Sequence, residues 1–207
     1  NWLTPGHGSG VIVTGIFGED LMRFIPSQVN GPTAGTWRWY VDGSDVWLSG
    51  TQENVDAVSV LYGVNANVTD VLMSTTGTAL ARGITATNAD VLAFKPTQNA
   101  SGTVTTGVGP ASTGTYALYF KGGNVGLNDN TNENLDGLFV PDEGTPNPLP
   151  SLYMTTSGSF TVPGVGGTRS DIFQFNPTAL GTGTAGTFNP NLVLQGSQDG
   201  LSAFDVN

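Results

Sequence analysis

One seven-residue phrase occurs three times in this chain and constrains its fold more than any other feature. It reads Asp, two apolar residues, any residue, Phe, any residue and Pro, and its copies begin at Asp20, Asp90 and Asp171. The copies therefore start 70 and 81 residues apart. A period of this size is typical of a duplicated supersecondary unit, which needs its neighbours to bury its apolar residues. The sequence thus predicts a tandem repeat.

Other motifs recur in the same order as the phrase. A Gly-Thr-aromatic step follows each copy, at Gly35, Gly114 and Gly186. Two copies continue into related pentapeptides, Glu-Asn-Val-Asp-Ala from Glu53 and Glu-Asn-Leu-Asp-Gly from Glu133. Because several motifs keep one order, we interpret the chain as a continuous array.

The array divides the chain into four parts. Residues 1–19 form an N-terminal leader or partial repeat and a candidate donor segment. Residues 20–89 form the first repeat, residues 90–170 the second, and residues 171–207 a truncated third. A length of 207 residues allows one large domain or two small ones, and the continuous array favours one.

The segments between the turns have the composition of β-strands. They are short, rich in Val, Phe, Tyr, Trp and Thr, and bounded by Gly, Pro, Asn or Asp. No window shows the apolar spacing of an amphipathic helix. The strands of the best copy are predicted at 55–61, 71–74, 90–94 and 115–120. We therefore predict an all-β, antiparallel β-sandwich or jelly-roll-like array of three tandem four-strand repeats, with propeller- or prism-like closure as the alternative.

The aromatic residues of the repeat are the expected core. Phe24, Phe94 and Phe175 share one position of the phrase, so we expect all three rings to be buried. Trp37 and Trp39 are also expected to pack in the core. Their strand alternates imperfectly between polar and apolar residues, which favours burial on both faces.

The two ends of the chain match different points of the repeat. Residues 1–6 match a second strand and residues 11–15 match residues 160–164, so the first unit is expected to lack its first strand. Residues 201–207 match the start of a first strand. A strand missing at one end and offered at the other predicts strand addition between chains, which generates an open filament when it does not close.

The residues expected at this assembly interface are apolar residues of the two ends and one proline. They are Trp2, Leu3, Val11, Ile12, Val13, Pro190, Phe204 and Val206. Pro190 is expected inside the fourth strand of the last copy, where it would mark an edge because proline cannot donate to a ladder. The alternative is that Pro190 only protects that edge against aggregation.

The charge balance excludes several partners. Six basic and 16 acidic residues give a net charge of −10, which repels nucleic acids and anionic bilayers. No apolar run is long enough to insert into a membrane. The chain has no cysteine, so disulfides and thiolate metal sites are ruled out. Its first residue is Asn1, which is consistent with secretion to an extracellular or cell-surface location after signal removal.

The residues give little support for catalysis. His7 is the only histidine, it lies among glycines, and it lacks the partners of a zinc site or a catalytic triad. The acidic residues that could form a glycosidase pair are Asp42, Asp45, Glu53, Asp56, Glu133 and Asp136. Several recur at matching repeat positions, which favours a structural role. We therefore expect no enzyme activity and no cofactor.

The loops offer two further kinds of candidate site. The Asn-rich segment 128–133 and its surroundings offer Asp129, Glu133 and Asp136 as candidate calcium ligands, although the spacing is not that of an EF-hand. Asx turns are the favoured interpretation of that segment. Asn67 and Asn99 begin sequons that matter only in a cell that glycosylates them.

The motifs together carry a resemblance. The repeated phrase, Thr-Ala-Gly-Thr-Trp at 33–37, Val-Asp-Gly-Ser-Asp-Val at 41–46, Glu-Asn-Val-Asp-Ala and Ser-Thr-Thr-Gly at 74–77 resemble an uncharacterised β-repeat of large secreted bacterial cell-surface proteins. The later copies depart from the Asp-Gly-Ser-Asp turn. The resemblance implies an extracellular, structural or adhesive role and no activity.

We therefore expect a structural subunit that polymerises with itself into an extracellular filament. The alternative is a carbohydrate-binding adhesin module, with Trp37, Trp39 and Trp47 as platforms for glycans. Trp47 is the best of these, because its counterparts are Gly126 and Gly200 and a core role is less expected for it.

Overall fold

The chain is all-β in the part that the computed structural model describes, as the sequence predicts. That part comprises residues 17–28, 30, 33–62, 68–97, 113–128, 132–141, 149–196 and 198–201. Within these residues the structure contains antiparallel strands and three short 3-10 helices, and it contains no α-helix. None of the described helices is long and apolar enough to cross a membrane.

The strands are numbered in chain order. They are β1 (Leu21–Gln28), β2 (Ala34–Val41), β3 (Val55–Tyr62), β4 (Val68–Thr75), β5 (Ala79–Ala81), β6 (Ile84–Ala86), β7 (Val91–Pro96), β8 (Gly114–Phe120), β9 (Leu135–Phe139), β10 (Leu152–Thr156), β11 (Phe160–Val162), β12 (Val165–Gly167), β13 (Asp171–Ala179), β14 (Ala185–Phe188) and β15 (Leu194–Gln195). The 3-10 helices are Ser44–Val46, Gly122–Val125 and Gly181–Gly183.

The strands form three main sheets. The N-terminal sheet pairs β1 with β2, and the central sheet has the order β3-β4-β7-β8. The C-terminal sheet has the order β14-β13-β10-β9, and β15 also pairs with β13. Two small hairpins, β5–β6 and β11–β12, complete the described part. All pairs are antiparallel, and the two larger sheets are open rather than closed on themselves.

The central sheet is buried on both faces. Successive side chains of a strand point to opposite faces, and here Met73 and Phe94 lie in a first core while Leu72 and Val91 lie in a second. The first core lies between the central sheet and residues of the N-terminal part, including Val41. Burial of both faces explains why these strands are almost continuously apolar in sequence.

The second core joins the central sheet to the C-terminal sheet. Met154, Phe173 and Phe175 of the C-terminal sheet are buried in it. The ring of Phe175 meets the ring of Phe120 edge to face, with centroids 5.3 Å apart. Aromatic pairs of this geometry add to the stabilisation that burial of their area provides.

Two expectations about aromatic burial are wrong in the N-terminal sheet. Phe94 and Phe175 are fully buried, whereas Phe24 is only half-buried. Trp37, expected in the core, is 53% exposed, and Trp39 is half-buried. β2 is therefore not buried on both faces. The N-terminal sheet has two strands among the described residues, so its rings have fewer neighbours than the rings of the larger sheets.

Candidate assembly site

The aspartate of the repeated phrase fixes a glycine-rich turn to the start of a strand. The side chain of Asp90 is completely buried, and its Oδ1 accepts a hydrogen bond from the Gly122 amide at 2.9 Å. Its Oδ2 accepts from the Thr87 amide at 2.9 Å and from Lys121 Nζ at 3.0 Å. Charge-assisted bonds of this kind are about twice as strong as neutral ones, so we assign Asp90 a structural role.

Asp20 and Asp171 make the same two backbone contacts. Oδ1 of Asp20 accepts from Gly43 N at 2.9 Å, and Oδ1 of Asp171 accepts from Gly196 N at 2.9 Å. Oδ2 of each accepts an amide three residues upstream, at 2.7 Å in both cases. Burial raises the pKa of Asp20, although its two backbone hydrogen bonds oppose the shift. Sequence analysis found the repeated Asp and missed this role.

The Gly-Thr-aromatic step places a glycine beneath the phenylalanine of the phrase. A Cβ on Gly114 would overlap the Phe94 ring and the carbonyl of Lys95, which lies on the neighbouring strand. The aromatic residue two positions later, Tyr116, packs on the same ring with centroids 5.0 Å apart. The equivalent contacts are those of Gly35 and Trp37 with Phe24, and of Gly186 and Phe188 with Phe175.

The glutamates of the two pentapeptides also bind backbone amides. Oε2 of Glu53 accepts from Ser49 N at 2.8 Å and Gly50 N at 2.6 Å, and Oε1 accepts from Leu80 N at 2.8 Å. Burial alone would raise the pKa of Glu53, but these three hydrogen bonds lower it overall. Glu53 therefore ties the hairpin β5–β6 to the preceding turn.

The candidate calcium ligands are placed as follows. Glu133 uses both carboxylate oxygens for backbone amides, Oε2 for Asn128 N and Oε1 for Thr161 N, each at 2.9 Å. Asp136 is half-buried on β9, and Asp129 lies outside the described residues. Among the described residues no group of three or more His, Cys, Asp or Glu side chains could hold a metal ion.

The central and C-terminal sheets meet at their edge strands β3 and β9. Asn134 Nδ2 donates to Asp56 Oδ2 at 2.8 Å, and the Val140 amide donates to Ser59 Oγ at 3.0 Å. Burial raises the pKa of Asp56 to about 7; the Asn134 bond opposes this shift, and the charge of Asp136 adds to it. Sequence analysis singled out both aspartates but could not show that they face each other.

β1 has an edge that its counterparts use for pairing. β7 pairs with β4 on one side and β8 on the other, and β13 pairs with β10 and β14. Among the described residues, β1 pairs with β2 alone. The second partners of β7 and β13 show that this position of a strand can accept a further strand through its backbone donors and acceptors.

One face of the N-terminal sheet is apolar and incompletely covered. Register places Phe24 opposite Trp37 and Met22 opposite Trp39, so these four side chains share a face. Phe24 and Trp37 contact each other with centroids 5.1 Å apart. All four are half-buried or exposed.

The C-terminal sheet also presents an apolar face away from the second core. Phe139 is 60% exposed and contacts Tyr153 with centroids 6.0 Å apart. Ile172, which alternates with the buried Phe173, lies on this face together with its cross-strand partner Leu194. Gln174 lies opposite Tyr153 in register and therefore on the same face, so the apolar residues of this face are interrupted by a polar side chain.

Trp47 occupies a turn position that glycine fills elsewhere. Its φ is +69°, whereas Gly126 and Gly200 adopt +93° and +78° after equivalent turns. Left-handed backbone costs a residue with a Cβ about 1–2 kcal/mol, and glycine avoids that cost. Trp47 is 50% exposed, and the Arg82 guanidinium lies 4.1 Å from its ring centroid. Arg82 also donates to the Gly114 carbonyl at 2.7 Å.

The structure places Pro190 outside the strand in which it was expected. β14 ends at Phe188, and Pro190 is exposed in the connection to β15. The Asn189 amide still donates to Gln174 O, and pairing resumes where Val193 N donates to Ile172 O at 2.8 Å. Proline lacks the N–H that would continue the ladder between them. The other predicted positions, Trp2, Leu3, His7, Val11, Ile12, Val13, Asn67, Asn99, Phe204 and Val206, lie outside the described residues.

Comparison of the chain with protein-family models, curated proteins and solved structures found no match.

Proposed function

We propose that this protein is a structural subunit that assembles head to tail into an extracellular filament of a bacterial surface. Each copy accepts a strand from its neighbour at the outer edge of β1. The observation that carries the proposal is the difference between β1, which pairs with β2 alone among the described residues, and β7 and β13, which each pair on both sides.

We also propose that the chain is built from three copies of one structural unit. The matching hydrogen bonds of Asp20, Asp90 and Asp171 support it, because each joins the first residue of a phrase to the same kind of turn. The order of strands supports it as well. The central sheet adds β7 and β8 to β3 and β4, and the C-terminal sheet adds β13 and β14 to β9 and β10. In this scheme β1 and β2 correspond to the last two strands of a four-stranded unit.

Strand addition has a sufficient physical basis. Backbone hydrogen bonds supply the affinity, and side chains of alternate residues supply the specificity. The segment 1–16 contains Trp2, Leu3, Val11, Ile12 and Val13, each of which yields roughly 1.5–3 kcal/mol when fully buried. Several such residues offset the entropy lost when two subunits join. A contact of this kind repeats indefinitely unless the rotation between copies closes a ring.

Removal of residues 1–15 tests the proposal. We expect a folded protein that sediments as a monomer at concentrations where the full chain forms filaments visible by negative stain. Addition of the free peptide 1–15 to the full chain should shorten its filaments. A Leu3→Asp variant keeps the segment but not its apolar character, and it should behave like the deletion. Filaments of normal length from either variant would contradict strand addition.

One observation favours carbohydrate binding as a second function. Trp47 keeps a backbone conformation that suits glycine, and its exposed ring is held by Arg82. An exposed, fixed aromatic ring can stack on the C–H face of a sugar. Trp47→Gly should preserve the fold and abolish binding to glycans that the unmodified chain captures on an array. Equal glycan binding by Trp47→Gly and by the unmodified chain would contradict a role of Trp47 in carbohydrate binding.

A further inference from the structure

The sheets of this chain pack on one another according to one rule. We call the face that carries the phenylalanine of the phrase the inner face of a sheet, and the opposite face its outer face. In the second core, Leu72 and Val91 of the central sheet's outer face pack with Phe173 and Phe175 of the C-terminal sheet's inner face. Outer face therefore meets inner face.

The first core obeys the same rule. Val41 is buried there, and Leu21, its partner in register, packs against it; both lie on the outer face of the N-terminal sheet. They share this core with Met73, Leu92 and Phe94 of the inner face of the central sheet. The chain thus contains two contacts of the same kind, in the same direction along the sequence.

Two faces remain after these contacts are made. One is the inner face of the N-terminal sheet, formed by Met22, Phe24, Trp37 and Trp39. The other is the outer face of the C-terminal sheet, which carries the apolar residues Phe139, Tyr153, Ile172 and Leu194 together with Gln174 and Asn176 of β13. Both are half-buried or exposed in the described part of the chain.

Counterparts of these residues are core residues in the central sheet. Ile172 follows Asp171 as Val91 follows Asp90, and Val91 is fully buried. Leu194 pairs with Ile172 as Phe120 pairs with Val91, and Phe120 is also fully buried. At these two positions the outer face of the C-terminal sheet therefore has the residue types of a face that a further sheet covers, whereas Gln174 stands where the central sheet has Ala93.

We propose that the outer face of the C-terminal sheet binds the inner face of the N-terminal sheet of a second copy of this chain. The occupant is a second copy because the chain already forms this contact twice within itself, and the new contact continues the series. The inference rests on the proposed head-to-tail assembly and adds the surfaces that hold it. The N-terminal face carries Trp37 and Trp39 and the C-terminal face carries Tyr153, and Trp and Tyr are enriched among the residues that dominate binding energy at interface centres.

The internal contact also predicts which residues meet. Phe120 of the outer face packs on Phe175 of the next inner face, with centroids 5.3 Å apart. Leu194 is the counterpart of Phe120, and Phe24 is the counterpart of Phe175. Leu194 of one copy should therefore lie against Phe24 of the next.

Cross-linking tests this pairing directly, because the chain contains no cysteine of its own. Chains with Leu194→Cys and chains with Phe24→Cys are mixed and treated with a short bismaleimide. We expect a covalent dimer from the mixture and none from either variant alone. Leu80→Cys is the control, because Leu80 is 62% exposed and belongs to neither face. It should couple to maleimide dye and form no dimer with either variant.

A matched pair of surface variants measures the contribution of the face. Phe139 and Leu80 are almost equally exposed, at 60% and 62%. Phe139→Ser should raise the dissociation constant for self-association at least about thirtyfold, the effect of truncating an interface hot spot. Leu80→Ser should leave it unchanged. Sedimentation velocity over a concentration series gives both values, and circular dichroism confirms that both variants are folded.

The outcomes separate this inference from the proposed function. Filaments that form normally with Phe139→Ser, and without the cross-link between positions 194 and 24, would overturn the face contact and leave strand addition standing. An unmodified chain that stays monomeric at every concentration would overturn head-to-tail assembly and this inference together. Loss of assembly in Phe139→Ser with the expected cross-link supports both.

Discussion

The contact between Asp56 and Asn134 should make the stability of this protein depend on pH. Asn134 Nδ2 donates to Asp56 Oδ2 at 2.8 Å. The other oxygens of the two groups, Asp56 Oδ1 and Asn134 Oδ1, are buried and have no hydrogen-bond partner among the described residues. We expect a proton on Asp56 to let its O–H donate to Asn134 Oδ1, which would satisfy both oxygens. Ionised Asp56 leaves them unsatisfied, which is costly for buried groups.

The sign and size of the effect follow from the pKa of Asp56. Burial raises it from its ordinary value of 3.8 to about 7, and the nearby Asp136 adds to the shift. The folded protein therefore holds a proton that the unfolded chain releases, so the free energy of unfolding falls between about pH 4 and pH 7 and is level above. A difference of about three units corresponds to about 4 kcal/mol, and partial access of water reduces the expected loss to about 2–4 kcal/mol.

The substitution Asp56→Asn isolates this contribution. An amide at position 56 can accept from Asn134 Nδ2 and donate to Asn134 Oδ1, and it does not titrate. We expect the variant to be about 2–4 kcal/mol more stable than the unmodified protein at pH 8 and about equal to it at pH 4. For a chain of this size, that difference corresponds to roughly 5–15 °C in Tm.

Urea unfolding from pH 4 to pH 8 measures the effect. The other carboxylates add the same pH dependence to the free energy of unfolding of both proteins. The difference between the curves of Asp56→Asn and the unmodified protein therefore comes from Asp56 and its contacts. Asp199→Asn, at an exposed position, is the control and should follow the unmodified protein at every pH. Parallel curves for Asp56→Asn and the unmodified protein would refute the acid–amide contact.

Three further expectations test the structural roles. Gly122→Ala should lower the free energy of unfolding by at least about 2 kcal/mol, because a Cβ there overlaps the carbonyl of Ala89. Gly123→Ala, where a Cβ meets no described atom within 4 Å, should leave that free energy nearly unchanged in the same denaturant titration. Phe94→Ala should lower the free energy of unfolding by about 3–5 kcal/mol, and Phe24→Ala should lower it by less than half of that, because Phe24 is only half-buried. Equal decreases for the two variants would show that Phe24 is buried in solution. Thermal melts with calcium and with a chelator should superimpose, because the Glu133 carboxylate already binds two backbone amides; a large upward shift with calcium would contradict that role.

The sequence predicted the larger strands well because their composition is unambiguous. The segments 55–61, 71–74, 90–94 and 115–120 appear as β3, β4, β7 and β8, with ends that differ by a few residues. Each has enough β-branched and aromatic residues between turn residues to exclude a helix. Strand composition thus identified the elements that form the central sheet.

The sequence did not predict the small hairpins β5–β6 and β11–β12, because their strands are very short. Each strand has three residues, too few for an alternating pattern to be recognised. A local signal was present in the turns. Pro163-Gly164 is a strong turn dipeptide, and Gly83 follows Arg82 at the matching point of the other hairpin. Both turn glycines have positive φ, a conformation that glycine adopts without a steric cost.

Burial could not be predicted from the phrase alone. Phe24, Phe94 and Phe175 occupy the same position of the phrase, yet only the last two are fully buried. A side chain's burial depends on the sheet that packs across from it, and the repeated motif describes only the sheet to which the residue belongs. The same limit applies to Asp56, whose partners Asn134 and Asp136 are distant in sequence and meet it only at the junction of two sheets.

The two apolar faces also determine which kind of assembly is open to the chain. One face presents Phe24 and Trp37 and the other Phe139 and Tyr153, so neither is a copy of the other and the proposed contact between them is of the heterologous kind. A chain with Phe139→Ser keeps only the N-terminal face, and a chain with Trp37→Ser keeps only the C-terminal face. Each alone should self-associate more weakly than the unmodified chain, whereas an equimolar mixture should form a dimer with a dissociation constant close to that of the unmodified contact, because one pair of intact faces remains. If either variant alone associated as tightly as the unmodified chain, the contact would be symmetric and the head-to-tail arrangement would be wrong.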